Sequence, residues 1–161
     1  MPSFDVVSEP PLHEIDNAVQ QASRELAQRY DFRGTETSID KTEEGLVLRS
    51  SSEGRLQAAY DVLQQKLVKR AVSLKVLDPE PLEPAAKGHV RRRIKLRRGV
   101  SAEKGKEMVK ALKASKLRVQ TAIQSDQLRV TGKKKDELQE AIRLLKETEF
   151  GIALQFTNFR D

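Results

Sequence analysis

The sequence contains no cysteine and only two histidines among its 161 residues. Without cysteine, the chain can form no disulfide, no thiolate nucleophile and no cysteine-ligated zinc site. His13 and His89 lie far apart without the spacing of metal ligands, and no pattern of serine, histidine and carboxylate suggests a catalytic triad. We therefore expect no catalytic residue, no metal site and no cofactor, and we predict a binding protein rather than an enzyme.

Long apolar runs and aromatic residues are also scarce. No apolar run approaches the ~20 residues of a membrane span, and the N-terminus lacks the pattern of a secretory signal, so we expect a cytoplasmic protein. Phe, Trp and Tyr make up 4% of the chain, and none lies in segments 46–50 and 128–131. We therefore do not expect an RNA-recognition sheet that stacks bases on aromatic side chains.

Charge, in contrast, is abundant and unevenly distributed. Residues 1–84 hold 10 Lys and Arg against 15 Asp and Glu, a net charge of −5, whereas residues 85–161 hold 20 against 9, a net charge of +11. A basic half of this kind attracts phosphate-bearing partners. The sequence thus favours a nucleotide or nucleic acid as partner, with a merely solubilising surface as the alternative.

The apolar pattern repeats after about half the chain, since residues 46–63 match those 82 positions later. Each half reads as strand, helix, hairpin, helix and strand. In the first half the helical stripe runs from Leu12 to Tyr30, and a strand at 74–77 closes the unit. We predict an α+β fold, a tandem duplication of a ferredoxin-like βαββαβ unit with two helices on one face of a four-stranded antiparallel sheet. The units span 1–77 and 89–161, joined by an extended proline-rich linker at 78–88.

The segment HVRRRIKLRRG, residues 89–99, alternates like a strand but is crowded with cations. Val90, Ile94 and Leu96 share the core parity, and Arg92 shares it too, so a bulge or a frayed end is expected there. The other parity places cations on the open face of the sheet, where we predict an anion-binding surface formed by Arg91, Arg93, Lys95 and Arg97. The alternative is that these cations pair with acids of the first half, such as Glu36 and Asp40, and only hold the two domains together.

Further cations fall on the second hairpin and at a helix start. Arg118 and Arg129 face outward on the hairpin, and Lys133 and Lys134 precede a helix whose free amides favour anions. A solvated turn is the alternative reading of these lysines. Arg29 and Arg33 form an RxxxR pattern, and residues 40–45 are close to DxSxxG, so together they are similar to the cyclic di-GMP signature of PilZ domains. The spacing is too short and Thr42 replaces the serine, so cations at a helix end are the favoured interpretation of Arg29 and Arg33.

Four segments carry a resemblance to a known family: PSFDVVSE at the start, YDFRG at 30–34, SKLRVQTAIQSDQLRVTGKKKDELQ at 115–139 and FTNFRD at the end. They resemble the YajQ family of bacterial proteins. The resemblance implies two ferredoxin-like domains that exchange their first strands, so that residues 3–8 join the second domain and 89–97 the first, near Arg49 and Lys75. Phe4 and Asp5 would then neighbour residues 156–161, and we add Phe159 and Arg160 to the candidate site.

The resemblance also implies nucleotide binding, with cyclic di-GMP as the ligand of some members and RNA and transcription factors as partners. An arginine-rich face suits a guanine nucleotide, since guanidinium groups stack on purines and grip phosphate. We hypothesise a non-enzymatic effector that binds cyclic di-GMP or another guanine nucleotide and signals to a transcription regulator. The alternatives are a sequence-indifferent binder of tRNA or rRNA and a purely structural interaction module.

Overall fold

The computed structural model describes residues 1–161 and contains four α-helices and nine β-strands. None of the helices is long and apolar enough to cross a membrane. The helices are α1 (Leu12–Gln28), α2 (Glu53–Lys69), α3 (Ala102–Ala114) and α4 (Lys135–Glu147). The strands are β1 (Ser3–Val7), β2 (Ser38–Lys41), β3 (Gly45–Ser50), β4 (Leu77–Pro79), β5 (Glu83–Pro84), β6 (Val90–Leu96), β7 (Val119–Gln124), β8 (Gln127–Gly132) and β9 (Gln155–Arg160).

The chain divides into two compact units, each of which takes its first strand from the other half of the sequence. Unit 1 comprises Met1–Glu9 and Arg98–Asp161, and unit 2 comprises Pro10–Arg97. The segment 78–88, predicted as an extended linker, lies inside unit 2, because β4 and β5 both pair with β6. The chain therefore passes between the units after residues 9 and 97 rather than within the proline-rich segment.

Unit 1 is an antiparallel sheet of order β7-β8-β1-β9, with α3 and α4 on one face. Phe4 and Val6 of β1 lie opposite Val130 and Leu128 of β8, and all four side chains are fully buried. They pack against α3 and α4 through further apolar residues, which include Met108, Leu112, Leu138, Ala141 and Leu145. The alternate, buried residues of β1 thus complete a core whose other members come from the second half of the sequence.

Unit 2 repeats this plan with the order β2-β3-β6-β4, in which β6 takes the position of the first strand. Leu46 of β3 lies opposite Ile94 of β6, and both are buried together with Leu48. The buried faces of α1 and α2 cover this side of the sheet, with Ile15, Val19, Leu26, Leu56, Leu63 and Leu67 among them. The predicted fold class, a duplicated ferredoxin-like unit with exchanged first strands, is confirmed.

The local sequence accounts for most element boundaries. Ser52 and Ser101 cap α2 and α3, since their hydroxyls accept hydrogen bonds from the amides of Arg55 and Lys104. The apolar stripe of α1 is shorter than predicted: Leu12 is exposed, and Tyr30 lies beyond the helix end in a 3-10 turn with 82% of its surface exposed. The strand predicted at 74–77 is also displaced, because Leu74–Val76 form a 3-10 turn and β4 begins at Leu77.

Candidate functional site

The strand exchange evens out the charge asymmetry of the sequence. Unit 2 holds 16 Lys and Arg against 13 Asp and Glu, and unit 1 holds 14 against 11, so each has a net charge of +3. The cations of β6 belong to the basic half of the sequence, but β6 lies in a sheet whose other strands come from the acidic half. Net charge therefore does not single out either unit, and the site must be located from side-chain geometry.

The open face of the unit 2 sheet carries a row of cations, as predicted. Arg91, Arg93 and Lys95 of β6, here called the cationic row, have the opposite parity to the buried Ile94. Same-face residues on a strand repeat about every 6.6 Å. Across the strand pair, Arg91 lies opposite Arg49, Arg93 opposite Val47 and Lys95 opposite Gly45. The row is therefore flanked by one more cation, one apolar side chain and one glycine on β3.

Carboxylates of the proline-rich segment 78–84, here called the acidic strap, pair with these cations. Glu83 Oε1 accepts from Nε of Arg91 at 2.7 Å and from Nε of Arg93 at 3.1 Å. Glu80 lies 3.2 Å from Lys95 Nζ. Asp78 lies 3.4 Å from Arg97, which also donates to the Lys75 carbonyl. The cationic row is thus balanced by acids of its own unit.

These ion pairs shift the ionisation of their members. The hydrogen bond from Arg91, followed by that from Arg93, lowers the pKa of Glu83. The hydrogen bond to Glu80 raises the pKa of Lys95, and the nearby charge of Glu44 adds to it. The pairing with acids of the first half, considered from the sequence as the alternative, therefore occurs, but through Asp78, Glu80 and Glu83. The two acids named as examples are not the partners, since Glu36 lies 3.8 Å from His89 and Asp40 forms no ion pair.

Arg49 is exposed, as Arg93 and Lys95 are, but it differs from the row because it has no ion-pair or hydrogen-bond partner. It lines a cleft of about 420 Å³ on this face, within the size range of small-molecule sites. Gly45 is required at the rim, because a side chain there would collide with the Ile94 carbonyl oxygen of β6. The cleft is lined by Thr42, Glu43, Glu44, Gly45, Leu46, Val47, Arg49, Arg91, Arg93, Ile94 and Lys95.

Arg92 points to the helix-covered face of the sheet. It pairs with Leu48 in an uninterrupted register, so the bulge or frayed end expected from its parity is absent. Its Nε is buried and has no hydrogen-bond partner. Burial raises the pKa of Tyr60 of α2, and the nearby charge of Arg92 counters part of that shift. Arg92 therefore does not contribute to the open-face cleft.

The open face of unit 1 is organised around a buried carboxylate. Asp5 is only 3% exposed and accepts hydrogen bonds from Arg129 Nε at 2.9 Å, Asn158 Nδ2 at 2.6 Å and Gln127 Nε2 at 3.4 Å. The hydrogen bond from Arg129 is the main cause that lowers the pKa of Asp5. Arg129, one of the predicted ligand-binding residues, is thus held by a buried carboxylate.

A bulge in β9 brings Asn158 to this carboxylate. Thr157 pairs with Asp5 and Arg160 with Ser3, so β9 has one residue more than β1 between these pairs. Asn158 has a φ of 56°, a left-handed conformation that asparagine tolerates better than most residues. Phe159 is 61% exposed although its ring lies 6.0 Å from that of Phe4. The motifs at the two chain ends therefore meet as one structural cluster.

The remaining predicted residues gather at one end of the unit 1 sheet. Arg118 and Lys133 adjoin the paired residues Val119 and Gly132, and Arg160 pairs with Ser3 on the strand next to β8. These residues and Lys134 are exposed and form no ion pair, and α4 begins at Lys135. The four cations, here called the basic end, are Arg118, Lys133, Lys134 and Arg160.

The structure therefore assigns the ten predicted residues to two different units. Arg91, Arg93 and Lys95 lie together in the cleft, with Arg97 at the strand end, whereas the other six belong to unit 1. Sequence reasoning did not select Arg49, Glu80 and Glu83. The position of Arg49 on the open face could have been predicted from the alternation of β3. The acids of the strap could not, because their segment has the composition of a linker.

The fold is a duplicated ferredoxin-like unit with an arginine-lined cleft in unit 2, and comparisons with known proteins specify the family. The family model for YajQ-like nucleotide-binding proteins matches residues 2–160. A nucleotide-binding protein of Anaeromyxobacter sp. strain K is 52% identical over the full length of both chains. One from Carboxydothermus hydrogenoformans is 54% identical over 98% of this chain and 97% of its own. The chain belongs to the YajQ-like family.

Proposed function

We propose that this chain is a non-enzymatic, cytoplasmic effector that binds a guanine dinucleotide, with cyclic di-GMP as the first candidate, in the cleft of unit 2. The observation that carries the proposal is Arg49, an exposed cation without a partner in a concave site beside Arg91 and Arg93. The names of the relatives as nucleotide-binding proteins support the ligand class.

The cleft offers the two kinds of group that such a ligand requires. Guanidinium groups grip phosphate through paired N–H donors, and the row provides cations at about 6.6 Å intervals. Glu43 and Glu44 at the rim provide carboxylates for the N–H donors of a guanine edge, while arginine can donate to its O6 and N7 acceptors. A small anion with a purine ring fits this combination better than a long polymer.

We further propose that the partner protein is a transcription regulator, as the family resemblance implies. A binding protein without catalytic machinery can act only through what its bound state presents to another molecule. Pull-down of a candidate regulator with and without cyclic di-GMP tests this half. Ligand-dependent capture is expected, and ligand-independent capture would contradict it.

Isothermal calorimetry of cyclic di-GMP against the wild-type chain and Arg49→Gln tests the ligand site. Because a hydrogen bond to a charged group contributes about 1.5–3 kcal/mol, the variant should bind at least about tenfold more weakly. Arg24→Gln is the matched control, since Arg24 is exposed and unpaired on α1, away from the cleft. Equal losses in both variants, or no loss in Arg49→Gln, would contradict the cleft as the site.

RNA is a second candidate ligand because of the basic end of unit 1, whose four exposed cations have no ion-pair partner. Binding through several phosphates would lose about 10³-fold in affinity between 50 and 200 mM salt, whereas a dinucleotide with two phosphates would lose far less. Titration of a tRNA and of cyclic di-GMP at both salt concentrations distinguishes the two. Tight tRNA binding without any nucleotide binding would favour the RNA function.

A further inference from the structure

We propose that Glu83 and Glu80 act as internal substitutes for ligand phosphates and thereby determine which nucleotides the cleft accepts. The proposal rests on the function proposed above for the cleft. Its basis is that the strap carboxylates engage three cations that line the cleft and that a phosphate would need: one oxygen of Glu83 accepts from Nε of both Arg91 and Arg93, and Glu80 lies 3.2 Å from Lys95 Nζ.

The strap is built so that these carboxylates can be exchanged for a ligand. Pro79, Pro81 and Pro84 cannot donate ladder hydrogen bonds, and β4 and β5 contribute only three and two residues beside β6. In the segment between β4 and β5, the backbone amide of Glu80 donates a hydrogen bond to the Arg93 carbonyl at 2.8 Å. The carboxylates of Glu80 and Glu83 are about one-third exposed and their cationic partners remain accessible. Ion pairs of this exposure are weak.

Two replaceable carboxylates imply selection by the number of phosphates. A ligand with a single phosphate replaces Glu83, because Arg91 and Arg93 offer several N–H donors in a planar arrangement. It does not replace Glu80, because Lys95 offers only a point charge. A ligand with two phosphates replaces both carboxylates and recovers both sets of contacts. Cyclic di-GMP should therefore bind more tightly than GMP, and the two glutamates should differ in which of these ligands they affect.

Calorimetry with cyclic di-GMP and GMP on Glu83→Gln and Glu80→Gln tests the assignment. Removal of one competing ion pair should strengthen binding up to about fivefold. Glu83→Gln should tighten binding of both ligands, and Glu80→Gln that of cyclic di-GMP alone. Asp61→Asn is the control, because it removes one exposed carboxylate from α2, on the other side of the sheet.

The outcomes separate this proposal from the function on which it rests. If the wild-type chain binds cyclic di-GMP, Arg49→Gln weakens it and neither glutamate variant tightens it, the strap is only structural and the proposal is overturned. The proposal is also overturned if Glu83→Gln has a lower melting temperature but an unchanged affinity for both nucleotides. If no variant binds any nucleotide, both the function and the proposal fail.

Discussion

The open faces of the two sheets carry similar side chains but hold them in opposite ways. In unit 1, Asp5 is 3% exposed and fixes Arg129 and Asn158 from neighbouring strands. In unit 2, Glu83 lies on a proline-rich edge and its partner Arg93 has 57% of its side chain exposed. The same pairing of arginine with carboxylate thus occurs once around a buried carboxylate and once around a partly exposed one.

This difference separates structural charges from charges available to a ligand. When one member of a buried ion pair is removed, the other is left uncompensated, so the pair cannot be opened without a large loss of stability. An exposed pair is screened by water and contributes little to folding. Arg129 is therefore a poor candidate for ligand binding despite its outward parity, whereas the partly exposed ion pairs of the cationic row are the ones that we propose a ligand phosphate replaces.

The largest expected effect is that of Asp5→Ala. Removal of the buried carboxylate leaves Arg129 and Asn158 without their acceptor, and the free energy of unfolding should fall by about 3 kcal/mol. The matched variant in the other unit, Glu83→Ala, should change the melting temperature only slightly because its carboxylate is exposed. Urea and thermal unfolding of both variants measure the difference.

Equal losses of stability in Asp5→Ala and Glu83→Ala would contradict the difference between the two units. That result would mean that the strap carboxylate is as structural as Asp5. Asp5→Asn provides a finer control, since it keeps the size of the side chain and one acceptor oxygen while removing the charge. Its loss of stability should lie between those of the other two variants.

A smaller effect is expected on acidification. The pKa of Asp5 is lowered in the folded state from its ordinary value of 3.8, mainly by the hydrogen bond from Arg129. Its contribution to stability is therefore complete above the unfolded pKa and is lost as the pH falls through the folded pKa. The pKa values of Glu25 and Glu83 are lowered as well, so the wild-type chain should lose stability from several sites below about pH 4.

The part that belongs to Asp5 can be isolated by comparing the wild-type chain with Asp5→Asn. Melting temperatures measured from pH 7 to pH 2 should converge as the pH falls, because the variant has no carboxylate to protonate at this position. Curves that stay parallel across the whole range would show that Asp5 does not titrate in the way its contacts imply.

Most of the fold follows from local sequence signals. The alternation of β1 and β6 and the apolar stripes of α2 to α4 predict elements that the structure contains. The exchange of first strands does not follow from periodicity, because β1 and β6 satisfy the parity of either sheet. Only the family resemblance indicated it. The exchange also explains why the −5 and +11 halves of the sequence become two units of equal charge.

The candidate site was only partly predictable for the same reason. Strand parity identified Arg91, Arg93 and Lys95, but their neighbours depend on which sheet receives β6. Three prolines made the strap read as a linker, although proline is tolerated on an edge strand, where no further strand needs its missing N–H. The counter-charges Glu80 and Glu83 therefore escaped detection until the register of β4 and β5 was known.

The most direct test of the central claim is a titration of isotope-labelled protein with cyclic di-GMP, followed by backbone amide chemical shifts. The cleft predicts perturbations at residues 43–49 of the β3 hairpin, at 91–95 of β6 and at 80–83 of the strap, with the basic end unchanged. Perturbations confined to Arg118, Lys133, Lys134 and Arg160 would place the ligand on unit 1 and contradict the assignment of the site to unit 2.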